Sequence, residues 1–277
     1  MTGTILRRLP VTAPPACFES LDSYIGRLAD INRISTDELR EALGRPGFST
    51  LEGRLDADQV STLTGYAADR LLAGLIELRT DHWPLPNVFT MHTAPACPRC
   101  AHSHPGHQLH RYYPHHAPAC PKHNIWTGTG WCPEGRAHDR FIDISRIRTI
   151  IAAQCRHHQF VRRHGAKIAH DGFILARNVL GREDWPRPPA ATEQILAILR
   201  PGGPLPYPDP AHEAARYPRL IHLATLFIAP HWRKLAASYT TWPQFYAEFS
   251  TRCFGHPDYV PNSNNAVCRW VRQQVTW

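Results

Sequence analysis

Three features of the 277-residue chain predict a mainly α protein with a helical N-terminal domain of helix-turn-helix type, a small Cys3His zinc-ribbon insert and a helical C-terminal domain. Apolar residues recur at helical spacing behind capping side chains over residues 19–79. Two matched knuckles, Cys97-Pro98-Arg99-Cys100 and Cys120-Pro121-Lys122-His123, stand nineteen residues apart. Residues 171–277 alternate helical periodicity with proline-rich turns. Together these predict domains over residues 1–86, 87–144 and 145–277.

Residues 1–18 carry Pro10, Pro14 and Pro15 and read as an extended lead-in. From Glu19 the pattern changes. Leu21, Tyr24, Ile25 and Leu28 fall on one helical face, and Ser20 or Asp22 can cap the start. Ser35-Thr36-Asp37-Glu38 has the capping-box form, opening a second helix that stops at Gly44. Asp56 or Asp58 caps a third helix with Val60 and Leu63 inward, broken by Gly65. A fourth runs from about Ala67 to Leu78, with Leu71, Leu72, Leu75 and Ile76 inward.

Helix, short glycine turn, helix is the helix-turn-helix arrangement, although other helical hairpins share it. The exposed side of its second helix offers Asp69, Arg70, Glu77 and Arg79. A base-reading helix presents Arg, Lys, Asn or Gln without acids beside them. This unit is therefore expected to pack against protein, with Arg70, Glu77 and Arg79 as partner-contacting residues. Trp83-Pro84-Leu85-Pro86 is expected to form a rigid hinge.

Two close pairs of soft ligands joined by a connector suit a tetrahedral zinc ion: each tight turn supplies two corners, and the connector brings the chain back for the others. Pro98 and Pro121 stiffen the turns. The competing reading is four unrelated residues, the cysteines buried as small hydrophobes; the matched knuckles weigh against it. Cys97, Cys100, Cys120 and His123 are the expected ligands, and three sulfurs with one imidazole make a closed, structural shell. His102, His104, His107, His110, His115 and His116 lie between the knuckles without a carboxylate and are read as solvated loop histidines. Cys132-Pro133-Glu134-Gly135 looks like a further knuckle lacking its second ligand.

Ser145 is expected to cap a helix from Ile147 to His164, ended by Gly165, with Ile147, Ile150, Ile151 and Phe160 inward. Arg146, Arg148, Arg156, Arg162 and Arg163 make it the best candidate for contacting phosphate; an ordinary amphipathic surface helix is the alternative. Further helices are expected at Gly172–Leu180, Thr192–Leu199, His212–Ala229, Trp242–Cys253 and Ala266–Val275, with a loop from Pro201 to Pro210. Trp232, Trp242, Tyr246 and Trp270 are expected in the core rather than against a ligand.

Charge is distributed unevenly. Residues 1–96 hold 9 basic and 12 acidic side chains, net −3; residues 97–170 hold 11 and 3, net +8; residues 171–277 hold 11 and 8, net +3. The basic character belongs to the zinc segment and to the chain after it, a surface suited to phosphate backbones. No apolar run reaches membrane-span length, and Met1 to Pro10 has no secretory h-region. Eight cysteines, half of them in the two knuckles and the knuckle-like Cys132-Pro133, do not read as a disulfide framework, so a cytoplasmic, reducing compartment is expected. Phosphate-cradling loops of the G-x-x-x-x-G-K-[ST] and G-x-G-x-x-G kinds, the G-x-S-x-G elbow and the H-E-x-x-H helix are all absent. A His-Asn-His-type nuclease has a foothold in His123-Asn124, but His123 is already committed to the structural zinc.

Pro15 through Ser35, with Glu19-Ser20-Leu21-Asp22-Ser23-Tyr24, Arg27-Leu28-Ala29 and Asn32, resembles the start of the TniQ family. The two knuckles, Cys132-Pro133, Ala152-Ala153-Gln154 and Arg163-His164-Gly165 continue the likeness in order, over roughly the first 165 residues. The resemblance implies a non-catalytic transposition factor. Such factors carry a helix-turn-helix and zinc fingers, and link a target-recognition module, in some elements a CRISPR effector with its guide RNA, to the AAA+ ATPase that recruits the transposase. It places the metal on Cys97, Cys100, Cys120 and His123. The family often has a second C-P-x-C knuckle where this chain has Gly135, so a second zinc site would need His138 or Cys155. A stand-alone zinc-containing helix-turn-helix DNA-binding regulator is the alternative. The sequence leaves oligomeric state open, a homodimer included.

Overall fold

Ser20 starts the first helix, α1 (Leu21–Asn32), by holding an extended backbone and accepting the Ser23 N–H on its hydroxyl at 3.1 Å. The helix ends at Arg33, whose left-handed φ of 59° turns its N–H back onto the carbonyls of Ala29 and Asp30. The capping box opens α2 (Thr36–Ala42): Glu38 N–H donates to Ser35 Oγ at 3.1 Å, and Ser35 N–H to Glu38 Oε2 at 2.8 Å. Asp56 caps α3 (Ala57–Thr64), with Gln59 completing the exchange, and Gly65 supplies the φ of 74° that ends it. α4 (Ala68–Gly74) begins three residues after Gly65.

This computed structural model describes residues 7–43, 56–79, 88–89, 92–106, 108–128, 141–180, 190–200, 210–254 and 266–275. The stop at Gly44, the hinge at Trp83–Pro86, His107, Cys132–Gly135, His138 and most of the Pro201–Pro210 loop lie outside these residues. The described residues hold twelve α-helices and five two-residue strands, so the protein is mainly α. Those up to His115 form one compact unit, and those from His116 onward another.

The first unit departs from expectation in its fourth helix. The helix expected to run to Leu78 stops at Gly74; Leu75 is extended (φ −107°, ψ 94°), and Ile76–Leu78 form a single 3₁₀ turn. Gly74 lies so close to the lead-in that a Cβ would meet Pro15 Cγ at 2.8 Å. The break buries Leu75 (0% exposed) and Ile76 (2%) in successive positions, which a continuous helix would not do as well. Leu21, Tyr24, Ile25, Leu28, Leu39, Val60, Leu63, Leu71 and Leu75 make the core of this unit, each large side chain contributing on the order of 1.5–3 kcal/mol by its burial. The lead-in is tied down by Leu9 N–H on Leu63 O (2.8 Å) and by a two-way bond between the Val11 backbone and the Asn32 amide (3.0 and 2.8 Å). β1 (Ala94–Pro95) pairs antiparallel with β2 (His110–Arg111), flanking the short α5 (Pro98–Ala101).

In the second unit β3 (Ala119–Cys120), β4 (Ile125–Trp126) and β5 (Ile142–Asp143) form a three-stranded antiparallel sheet. α6 (Arg148–His164) begins one residue later than expected and without Ser145 as its cap: Ser145 donates its N–H to Asp143 Oδ1 (2.8 Å), a local turn that uses the capping geometry before the helix starts. Gly165 ends α6 with φ 83°. α7 (Ala166–Leu180) starts more than a turn earlier than expected, running through Gly172, where a Cβ would sit 3.2 Å from Ala224 O. α8 (Ala190–Leu199), α9 (Pro210–Ile228), α11 (Trp242–Phe254) and α12 (Ala266–Gln274) match the expected helices within about two residues. α10 (Pro230–Ala236) adds to the expected helices; Pro230 occupies its first turn, where a missing N–H costs nothing. Trp232 and Trp270 are buried and Trp242 and Tyr246 pack against the same core, as expected.

Candidate functional site

The first knuckle is held by a helical turn and a strand pair. Pro98 starts α5, Ala101 N–H reaches Cys97 O at 2.8 Å, and Ser103 Oγ donates to Cys100 O at 2.7 Å. Ala96 N–H on Leu109 O (2.8 Å) extends the β1–β2 pairing past the turn. The second knuckle is the β3–β4 hairpin, in which Cys120 faces Ile125 across the register. Asn124 takes the left-handed φ of 53° that the tight turn requires, a conformation asparagine tolerates.

The three sulfurs and a ring nitrogen of His123 all lie within 4.8 Å of one another. The Cys120 sulfur and His123 Nδ1 are 3.6 Å apart. A tetrahedral ion with bonds of about 2.3 Å to sulfur and about 2.0–2.1 Å to nitrogen sets its S···N edges near 3.6 Å. The Cys3His group is thus positioned to hold a metal ion. Among the described residues no other group of three or more His, Cys, Asp or Glu is gathered this closely. Cys155, one of the two residues on which a second site would depend, lies exposed on α6 instead.

The histidines between the knuckles are less solvated than the sequence suggests. His102 is exposed, but His104, His115 and His116 are half-buried, and His110 belongs to β2, donating its N–H to Ser23 Oγ at 2.9 Å. Burial and the Arg27 guanidinium lower the His104 pKa.

The site's surroundings give Glu19, Ser23 and Arg27 a role that sequence reasoning missed. The Glu19–Arg27 ion pair is buried, with side-chain exposures of 0% and 1%, and its two bonds measure 2.7 and 2.9 Å. Arg27 also donates to Pro105 O (2.9 Å) and Pro14 O (3.2 Å). Glu19 accepts the Ala16 N–H (2.8 Å) and the Ser23 hydroxyl (3.1 Å). Gly106 is required beside it: φ is 97°, and a Cβ there would lie 2.8 Å from Arg27 O. The pair therefore fixes the segment that follows the first knuckle onto α1. The eight-residue spacing of Glu19 and Arg27 hides it from helical periodicity, because Glu19 precedes the helix.

Of the partner-contacting candidates, Arg70 is exposed, its guanidinium 4.9 Å from the Tyr66 ring centroid. Glu77 and Arg79 correct the expectation of an exposed side. Glu77 turns inward, accepting the Leu21 N–H and the Tyr112 hydroxyl (2.5 Å). Burial raises its pKa, opposed by those two bonds. Arg79 donates to the carbonyls of Leu72 (2.8 Å) and Ala73 (3.4 Å), which the break after Gly74 leaves open. Both displacements follow from the 3₁₀ turn, which rotates residues 76–79 away from the course of α4.

Arg146, Arg148, Arg156, Arg162 and Arg163 are all exposed and make no ion pair with any described residue. On α6, positions 148, 156, 162 and 163 share one outward stripe, which at 1.5 Å per residue is about 22 Å long. Ile150, Ala153, Gln154, His157 and Phe160 fill the opposite face. Gln154 is the least expected of these: it accepts the Ala119 N–H (3.2 Å) and donates to His116 O, pinning the approach to β3. His157 Nδ1 lies 3.0 Å from the buried Tyr217 hydroxyl.

Residues 10–126 match the TniQ family model. The match encloses both knuckles and the Glu19–Arg27 pair, and ends before Ala152–Gln154 and Arg163–Gly165. No curated protein and no solved structure matches the chain. Among the described residues, no helix is long and apolar enough to cross a membrane.

Proposed function

We propose that the protein is a non-catalytic transposition factor of the cytoplasm, an adaptor that joins a target-recognition module to the transposon's AAA+ ATPase on DNA. The observation that carries the reading is the TniQ match over residues 10–126. The Cys3His cluster lies inside it and offers ligands that suit zinc. With three thiolates and an imidazole the shell is full, so the ion stiffens the fold and has no open position to activate water or polarise phosphate. The metal's part is structural, and the chain's own residues supply the surfaces.

Two surfaces serve the bridge. The exposed Arg70 end of α4 faces a protein partner. The exposed arginines of α6 contact the DNA backbone, where they fix position without reading sequence. We place the working domains at residues 1–86, 87–144 and 145–277. The target-recognition module is a CRISPR effector in one form of this reading.

The test mixes the purified protein with the cognate ATPase and a labelled duplex, with and without divalent metal. The reading predicts co-elution of all three with the strands intact, and weaker association with the ATPase in Arg70→Glu at unchanged folding. Metal-dependent nicking that tracks the protein through purification would overturn it.

A further inference from the structure

The exposed cations of α6 continue onto two neighbouring helices. α6 and α9 lie side by side: His157 meets Tyr217, and further along, Phe160 and Ala224 both close on Gly172, at 3.6 and 3.2 Å from where its Cβ would be. His222, on the exposed side of α9, falls between these two levels, near enough to Arg156 and Arg252 to feel both charges. α11 reaches the same region from the other flank. The Phe227 and Phe249 rings are 6.0 Å apart, and Arg252, almost one turn past Phe249, lies 5.8 Å from the centroid of the Trp232 ring. Arg156 and Arg252 make no ion pair with any described residue. Glu248, one turn before Arg252, is bonded to His231 and Gln244, each at 3.0 Å, and the Arg252 charge also helps to hold its carboxyl pKa down.

Three basic side chains from three helices thus gather on one surface, with Glu248 as the acidic neighbour at its Arg252 edge, a surface suited to phosphate. We propose that Arg156, His222 and Arg252 form a phosphate-binding cluster that carries a DNA duplex from α6 across α9 to α11, outside the family-matched segment. This rests on the DNA-contacting role proposed for α6. A duplex is favoured over a single strand because the rings beside Arg252 are turned inward: Trp232 is 2% exposed and Phe249 0%, so neither offers a face for an unstacked base.

The cluster also responds to pH. Burial, then Arg156, then Arg252 lower the His222 pKa, so the ring is neutral in the free protein at neutral pH. A bound phosphate reverses the two repulsive contributions and favours the imidazolium. Proton uptake is then linked to binding, and affinity rises as pH falls.

The experiment measures binding of a labelled random-sequence duplex to the full chain across salt and pH. Affinity should rise toward acid by up to about tenfold per pH unit, the limit for one linked proton. His222→Gln should flatten that rise. Arg252→Gln should lower the salt slope by about 1, the signature of one lost phosphate contact. An unchanged pH dependence in the first variant, or an unchanged salt slope in the second, overturns that residue's part. Should Arg162→Gln with Arg163→Gln abolish binding while Arg252→Gln has no effect, α6 keeps its role and the cluster is refuted. Should neither matter, the DNA-contacting role of α6 fails as well. Tighter binding of a single-stranded RNA, with the same losses, would overturn the assignment to duplex DNA.

Discussion

Arg27→Ala is the substitution that reaches deepest into the segment matched by the TniQ family model. It removes both bonds to Glu19 and the donors to Pro105 O and Pro14 O. Glu19 stays behind as a carboxylate with 0% exposure, holding only the Ala16 N–H and the Ser23 hydroxyl. Breaking a buried pair from one side costs about 3–5 kcal/mol, because the remaining charge has lost its partner but not its burial. Since the chain forms two compact units, a single melting temperature would mix them. Hydrogen exchange is the better assay. The amides of Ala16 and His110 are bonded to Glu19 and Ser23 respectively, and both should lose about 10²-fold to several thousandfold in protection, at about 1.4 kcal/mol per decade. Salt should leave the effect in place, since buried pairs are little screened. Replacing the pair together, as Glu19→Leu with Arg27→Met, should recover much of the loss. A single-variant loss below about fivefold would refute the reasoning, for it would mean that the carboxylate finds water.

Three further perturbations probe the same geometry. Gly106→Ala should destabilise the first unit by at least about 1 kcal/mol, read as about a fivefold or greater loss of hydrogen-exchange protection at the same two amides, because of its positive φ and the 2.8 Å approach to Arg27 O. Glu77→Lys should cost about 1–3 kcal/mol by stranding the Leu21 N–H and the Tyr112 hydroxyl, whereas Glu77→Gln keeps acceptor and donor capacity and should be tolerated. Glu77 has a raised pKa in the fold, so it binds its proton more tightly folded than unfolded. Its contribution should therefore be most favourable in acid and decline as pH rises through the ordinary carboxyl range toward the raised value, a slope absent in Glu77→Gln. Cys100→Ala should lose the metal and expose residues 92–128 to protease, seen as new cleavage sites.

The local elements are legible in the sequence because their signals are local. Ser20, Ser35, Asp56 and Gly65 act within one turn of themselves, and each does in the structure what its spacing announces. The knuckles are legible for a similar reason: ligand type and separation are enough to specify tetrahedral geometry. What escapes depends on contacts between distant residues. The break after Gly74 comes where the chain meets Pro15, 59 positions away, and it is this break that turns Glu77 and Arg79 from surface candidates into internal fasteners. The residues that carry the family resemblance, Glu19, Ser23, Arg27 and Asn32, form bonds across the lead-in and the post-knuckle segment, so their chemistry is structural. The basic stripe of α6 is legible from its period, but its continuation to His222 and Arg252 needs the packing of α6, α9 and α11.

Whether the Cys3His site is closed decides between a scaffold and an enzyme, and the coordination shell of the bound ion can be read directly. X-ray absorption at the zinc edge of the purified protein should give one zinc per chain with three sulfurs at about 2.3 Å and one nitrogen at about 2.0–2.1 Å. An oxygen ligand exchangeable with solvent, or a folded protein that holds no zinc, would contradict the account.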